Sequence, residues 1–212
     1  ALLGFGYVIQ INNTTSTYET MSEDELTKLI SETNAQVQKL EQRKNELSSQ
    51  LNALKDTADK NEKAAEIAKQ NAQTNGILSG RLAATGEGVV IRISQGSKQK
   101  IDSAILFTLL EELRNSGAEV IEINNVRVVT STYISGTAGS LVCDGTKLKS
   151  PFTIRAIGDS DNLQNAVNLA GGVGSRLKVK YGATVSVSPS DKVMIKSTRQ
   201  APQYTYAHVI GQ

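Results

Sequence analysis

The chain has 212 residues, with 23 basic and 21 acidic side chains, one cysteine, one histidine and no tryptophan. One cysteine excludes an intramolecular disulfide, and one histidine excludes a histidine-based metal cluster. With only 4% aromatic residues there is little to stack nucleic-acid bases, so no metal, no cofactor and no nucleic-acid partner is expected.

Taken in chain order, Ala1 to Ile11 is apolar. As helix it reaches only about 16 Å, against a bilayer hydrocarbon core of about 30 Å. It reads as the outer end of a longer transmembrane helix, with Tyr7 near the interface and the polar run Asn12 to Ser22 leading away. Residues 1–21 are therefore expected to be the end of a membrane anchor plus a polar linker. The expected location is the cell membrane, single-pass, with an extracytoplasmic globular domain. The competing reading is an apolar segment packed on that domain.

From Tyr7 to Asn75 there is neither Gly nor Pro, whereas 15 of the 17 Gly and all three Pro lie at or beyond Gly76. Sixty-nine residues without a breaker predict one long helix. Ser22-Glu23-Asp24-Glu25 is a capping box that starts it, and its acids suit the positive end of the helix dipole. Within residues 22–82 a heptad follows. Leu26, Leu40, Leu47 and Leu54 fall at d, while Ile30, Val37 and Leu51 fall at a. Beyond Leu54 the seam is mostly Ala, and Lys44 and Asn61 interrupt it. A stripe this long needs partner helices, so a coiled-coil homodimer, parallel, is expected. Asn75-Gly76 is the expected helix end, with continuation through Ile77-Leu78 and Arg81-Leu82 past a break as the alternative.

Residues 77–212 carry 15 bases and 10 acids, and residues 83–212 hold alternating strand and helix patterns. Gly88 to Ser94 reads as a strand and Asp102 to Ser116 as an amphipathic helix closed by Gly117. Ala118 to Ile123 reads as a second strand. A turn-rich stretch, Asn124 to Ser150, contains weaker strands at Val126–Thr130 and Leu141–Asp144. Phe152 to Ile157 is a further strand, Asp161 to Leu169 a short helix, and Ala183–Ser188 and Val193–Ile195 complete the pattern. The fold class is α+β: a long N-terminal coiled-coil helix, then a ferredoxin-like β-α-β-β-α-β domain with an inserted β-rich segment.

Three stretches carry a resemblance: Gly86-Glu-Gly-Val-Val-Ile-Arg-Ile, Gly117-Ala-Glu-Val-Ile-Glu-Ile-Asn-Asn-Val-Arg-Val, and Pro151-Phe-Thr-Ile-Arg-Ala-Ile-Gly-Asp159. With the apolar start, the coil and the tail near Tyr204 and Tyr206, the chain resembles the YlxW-like family, bacterial domain of unknown function 881. That resemblance implies a single-pass anchor, a coiled coil and an α/β domain. It also implies Gram-positive bacteria, an envelope setting and envelope or cell-division proteins as partners. It supplies no catalytic residue.

No catalytic constellation is visible, and the chain is expected not to be an enzyme. Gly171-Gly-Val-Gly-Ser-Arg176 lacks the spacing of a phosphate loop and reads as a helix-ending turn. Cys143 reads as a small apolar strand residue. Asn124, Asn125 and Arg127 form the most promising polar cluster, presenting amides and a guanidinium to an anion, with Arg155 and Asp159 nearby if their strand is adjacent. Turn chemistry plus a structural ion pair is the competing reading, and Asp102 and Asp159 also suit helix starts. Arg176, Lys178, Lys180, Lys192, Lys196 and Arg199 make the C-terminal strands basic, for teichoic acid or lipid head groups or for protecting strand edges. The leading function is a membrane-tethered, non-catalytic scaffold or assembly protein. The alternative is a ligand-binding sensor using the Asn124–Arg127 region.

Overall fold

The computed structural model describes residues 22–211, and the segment 1–21 read as anchor and linker lies outside the described residues. The chain divides into two compact units, 1–66 and 67–212. Helix α1, Glu23–Leu78, begins in the first and ends in the second. Its start is the capping box: the Glu25 N–H donates to Ser22 Oγ at 3.3 Å, and the Ser22 N–H donates to Glu25 Oε2 at 3.1 Å. Thr27, Thr33 and Thr57 turn their hydroxyls back onto carbonyls four residues earlier, so these β-branched residues do not break the helix. The heptad residues are left uncovered within the chain, with Leu40 at 69% and Leu54 at 68% exposure.

The single-pass membrane location is corrected here. Among the described residues no helix is long and apolar enough to cross a membrane. Helix α1 has the length, at 56 residues, but ten acids and eight bases are spread over residues 22–75.

The end of α1 also differs from expectation. Gly76 is inside the helix and buried, and a Cβ there would lie 2.5 Å from Leu82 Cδ1. The chain leaves the helix at Gly80, whose φ of 75° is the left-handed cap conformation. The Arg81 N–H donates to Gly76 O and the Gly80 N–H to Ile77 O, which satisfies the last carbonyls.

In the second unit β1 (Ala84–Ile93) leads to α2 (Ser103–Asn115), β2 (Val120–Ile123) and β3 (Val126–Val128). An insertion follows, with β4 (Ile134–Thr137), β5 (Ser140–Cys143) and β6 (Thr146–Lys147). The chain then returns through β7 (Phe152–Ile157), α3 (Ser160–Asn168), α4 (Val173–Val179) and β8 (Val185–Ile195). The main sheet has the order β3-β2-β7-β1-β8, with every pair antiparallel, and the insertion forms a separate sheet β4-β5-β6. The protein is thus α+β, a long N-terminal helix followed by a sheet-rich domain.

Strand alternation assigns the two faces. Val89, Ile91 and Ile93 of β1 and Phe152, Ile154 and Ala156 of β7 are buried in one core with Ile105, Leu106, Leu109, Leu110 and Leu113 of α2. Each Val, Leu, Ile or Phe side chain among them stabilises the fold by about 1.5–3 kcal/mol when fully buried. Leu163 and Val167 of α3 and Val173 and Leu177 of α4 complete that core. The opposite face holds a smaller apolar cluster, Val120, Ile157, Val193 and Ile195. Pro189 is accommodated in β8 because that strand is at the sheet edge.

Asp102 joins two elements. It caps α2 by accepting from the Ile105 N–H at 2.9 Å, and it accepts from the Tyr181 hydroxyl at 2.7 Å. Burial raises its carboxyl, but the Tyr181 and Ile105 hydrogen bonds outweigh that and hold it below its usual value. Burial, and then the bond to Asp102, pushes the Tyr181 phenol up to about 12 from an ordinary 10.0. Both signs follow from linkage. The Tyr181 contribution to stability is complete below its unfolded value and lost as pH climbs toward about 12. The Asp102 contribution is complete above the unfolded carboxylate value and lost as pH falls through the lowered one. Urea midpoints measured against pH are expected to show an alkaline limb that Tyr181→Phe removes. An unchanged limb in that variant would exclude this pair as its origin.

Candidate cationic sheet face

On the face away from α2, α3 and α4, register sets Arg155 of β7 opposite Glu122 of β2, and Glu122 opposite Arg127 of β3. Arg155 Nη1 donates to Glu122 Oε1 at 2.7 Å, and the Ser197 hydroxyl donates to Glu122 Oε2. Glu122 is buried while Arg155 is about one-third exposed, so the guanidinium satisfies the carboxylate from the solvent side.

Arg127 has a different role from the one expected. It is 2% exposed, and its guanidinium donates to Ile77 O and Leu82 O at 2.9 Å and to Ser197 O at 3.2 Å. Burial draws its pKa below the usual value, with Glu122 acting in the opposite direction. All its donors aimed at carbonyls are occupied by the last turn of α1, the following loop and the C-terminal segment, so it is structural.

Asn124 and Asn125 form the two-residue turn between β2 and β3, with φ of 45° and 64°. Both central residues of a type I′ hairpin turn need positive φ, which asparagine tolerates. The Asn124 amide donates to Lys149 O at 2.7 Å and accepts from the Thr153 N–H at 2.8 Å. It therefore fastens the hairpin to the start of β7. Asn125 makes only a long 3.5 Å contact with Arg155 Nη1.

Of the five candidate residues the fold brings Asn124, Asn125 and Arg155 together at one cleft and buries Arg127 near it. Asp159 instead caps α3, accepting from the Asn162 N–H at 2.8 Å. A cleft of about 420 Å³ is lined by Arg92, Asn124, Asn125, Lys147, Lys149 and Arg155, with Ser150 and Thr153. An adjoining cleft of about 600 Å³ lies between Arg155, Lys192 and Lys196. Among the described residues Arg92, Lys147, Lys149, Lys192 and Lys196 make no ion pair.

Sequence reading missed Arg92, Lys147 and Lys149. The usable signal was charge: Arg92 is the one charged residue of the apolar run Val89–Ile93, and Arg155 the one charged residue of Phe152–Ile157. Arg176 and Lys178 lie in α4 and Lys180 caps it, so these three are not strand residues, and Arg199 pairs with Asp144. The Gly171–Arg176 run is the entry to α4. Gly174 there lets α4 close on Val167 of α3, since a Cβ would meet Val167 O.

Among the described residues no group of three or more His, Cys, Asp and Glu gathers to hold a metal. Cys143 is fully buried, and burial followed by the Asp144 charge pushes its thiol up to about 11.

The family described as bacterial protein of unknown function (DUF881) matches residues 71–208. The chain belongs to the DUF881 family. The UPF0749 proteins Rv1825 of Mycobacterium tuberculosis and Mb1856 of Mycobacterium bovis are each 32% identical to it, over 99% of this chain and 73% of theirs. UPF0749 protein YlxW of Bacillus subtilis is 30% identical over 55% of this chain and 54% of its own length. A solved crystal structure, of an uncharacterized conserved protein from Mycobacterium tuberculosis, matches with a TM-score of 0.61 and 35% identity. It covers 66% of this chain and 99% of that one. The DUF881 match includes every cation of the sheet face described above.

Proposed function

We propose that this DUF881 protein is a non-catalytic assembly protein that self-associates through α1 as a parallel coiled-coil homodimer. The observation that carries the reading is the stripe of Ile30, Val37, Leu40, Leu47, Leu51 and Leu54, all exposed within one chain and all at a or d positions. A stripe repeating every 3.5 residues is complementary to an identical stripe, and a second copy of the chain supplies one. Lys44 and Asn61 in the seam favour a single register at some cost in stability. An envelope or cell-division setting rests on the family resemblance alone.

For the second unit we infer a ferredoxin-like plan. The order β2-β7-β1-β8, with α2 following β1 and α3 following β7, supports it, and β3 and the three-stranded insertion are additions. The competing reading, a sensor built on Asn124–Arg127, loses Asn124 and Arg127 as ligand contacts because backbone groups occupy both.

The test is sedimentation equilibrium on the full chain. The wild type is expected to be dimeric at micromolar concentration, and Leu40→Glu/Leu47→Glu monomeric with reduced helical ellipticity, because a lone helix of this composition is marginal. Leu47→Cys is expected to form an interchain disulfide if the pair is parallel and in register; the buried, high-pKa Cys143 stays silent. A monomeric wild type would end the proposal, and a dimer without that disulfide would reverse the orientation.

A further inference from the structure

We propose that the sheet face opposite α2, α3 and α4, continued onto the β4–β6 insertion, is a binding track for a linear polymer of repeated phosphate groups. Three clefts adjoin from that face onto the insertion, where the third lies beside Ser140, Leu141 and Phe152. The first shares Asn125 and Arg155 with the second, and the second shares Lys147, Lys149 and Ser150 with a third of about 420 Å³. The first contributes Arg155, Lys192 and Lys196, the second adds Arg92, Lys147 and Lys149, and the third adds Lys100. Against these seven cations stands one carboxylate, Glu122, which is buried and already bonded to Arg155 and Ser197. The chain as a whole has 23 bases and 21 acids, so a seven-to-one lining is not inherited from composition. Like charges held this close repel one another, and a polyanion relieves that repulsion.

The spread of the charges selects the ligand's shape. Arg92 and Arg155 are diagonal neighbours on adjacent strands, roughly 7–8 Å apart at Cα. Lys147 and Lys149 precede β7, while Lys192 and Lys196 flank the end of β8. These cations do not converge on one point, so a single small anion meets one or two of them, whereas a chain with closely spaced charges meets most. Guanidinium forks take two phosphate oxygens at once, lysines act as point charges, and the Asn125 amide and Ser150 hydroxyl add neutral donors. The lining offers no exposed ring on which a base could stack: its one aromatic residue, Phe152, is in the core. Met194 is its one large exposed apolar side chain, too little for insertion into a bilayer.

The experiment titrates the full chain into end-labelled long-chain inorganic polyphosphate, followed by fluorescence anisotropy over a salt series. Binding is expected to weaken steeply with salt. Arg92→Gln/Lys147→Gln/Lys149→Gln is expected to lower affinity on the order of tenfold and to flatten the log–log salt slope by about 2, at about 0.7 per lost contact. Arg176→Gln/Lys178→Gln/Lys180→Gln removes equal charge at α4 and is expected to leave both nearly unchanged. Circular dichroism verifies folding of each variant. The proposal is overturned if the wild type does not bind, if both triple variants lose affinity equally, or if oligothymidylate, polyglutamate or phosphatidylglycerol vesicles bind as tightly as polyphosphate.

Discussion

Arg127→Ala is expected to destabilise the second unit by about 3–5 kcal/mol, the range for removing one member of a buried charged network. Three part-buried carbonyls, those of Ile77, Leu82 and Ser197, would lose their donor, at about 1–3 kcal/mol for any that water does not reach. Glu122 would also lose a neighbouring positive charge while remaining buried. The damage should be local first. Amide exchange is expected to accelerate in residues 77–82 and 197–199, the segments the guanidinium ties to the sheet. Arg127→Lys should recover less than half of the loss, because one ammonium on a flexible stem does not reproduce a planar fork reaching three acceptors. Urea midpoints at a fixed protein concentration measure this, since any dimer makes stability concentration-dependent. A loss below about 1 kcal/mol for Arg127→Ala would show that the network is not what fastens these segments.

Arg127 also shows where sequence reasoning stops. Following a buried-looking strand and two asparagines, it had every local mark of a ligand contact. What decides its role is three carbonyls 45 to 70 residues away in sequence, and nothing local records them. The same limit hid the cationic face: Arg92, Lys147 and Arg155 become neighbours only through the β1–β7 register and the insertion between β3 and β7. Features set by local chemistry were legible. The capping box at Ser22, the uninterrupted helix after it, the α2 stripe and the Asp102 cap all depend on residues within a few positions of one another. Helix α4 was missed because Val173 and Leu177 give too short a periodicity and Gly171-Gly172 reads as a stop. Strand β8 was divided because Pro189 and its serines look like a break, although an edge strand spares the missing N–H. Gly76 looks like a helix end because glycine disfavours helix, yet here its missing Cβ gives Leu82 its place.

Gly88→Ala is expected to be more damaging than a one-carbon change suggests, at about 3 kcal/mol or more, the upper end for overpacking. Gly88 lies beside the irregularity in β1 between Gly86 and Gly88, paired to Ile157 on one side and Ser190 on the other. An added Cβ would overlap the Ala156 carbonyl oxygen and lie 2.9 Å from Ala156 C and Ile157 Cα. These are backbone atoms of the neighbouring strand, so no rotamer change relieves the clash and β1 must separate from β7. Gly86→Ala is the matched control: its Cβ would meet only Ile157 Cγ2, at 2.9 Å, which a side-chain rotation relieves, so roughly 1 kcal/mol is expected. Equal thermal shifts for the two variants would refute the backbone-overlap argument. The same pairing sets Arg92 diagonal to Arg155, so the folded fraction of Gly88→Ala should also bind polyphosphate less tightly, whereas Gly86→Ala should bind it normally. That coupling follows because the sheet holds Arg92 and Arg155 together: a change that adds no charge and touches no lining residue alters binding only by moving one strand against the next.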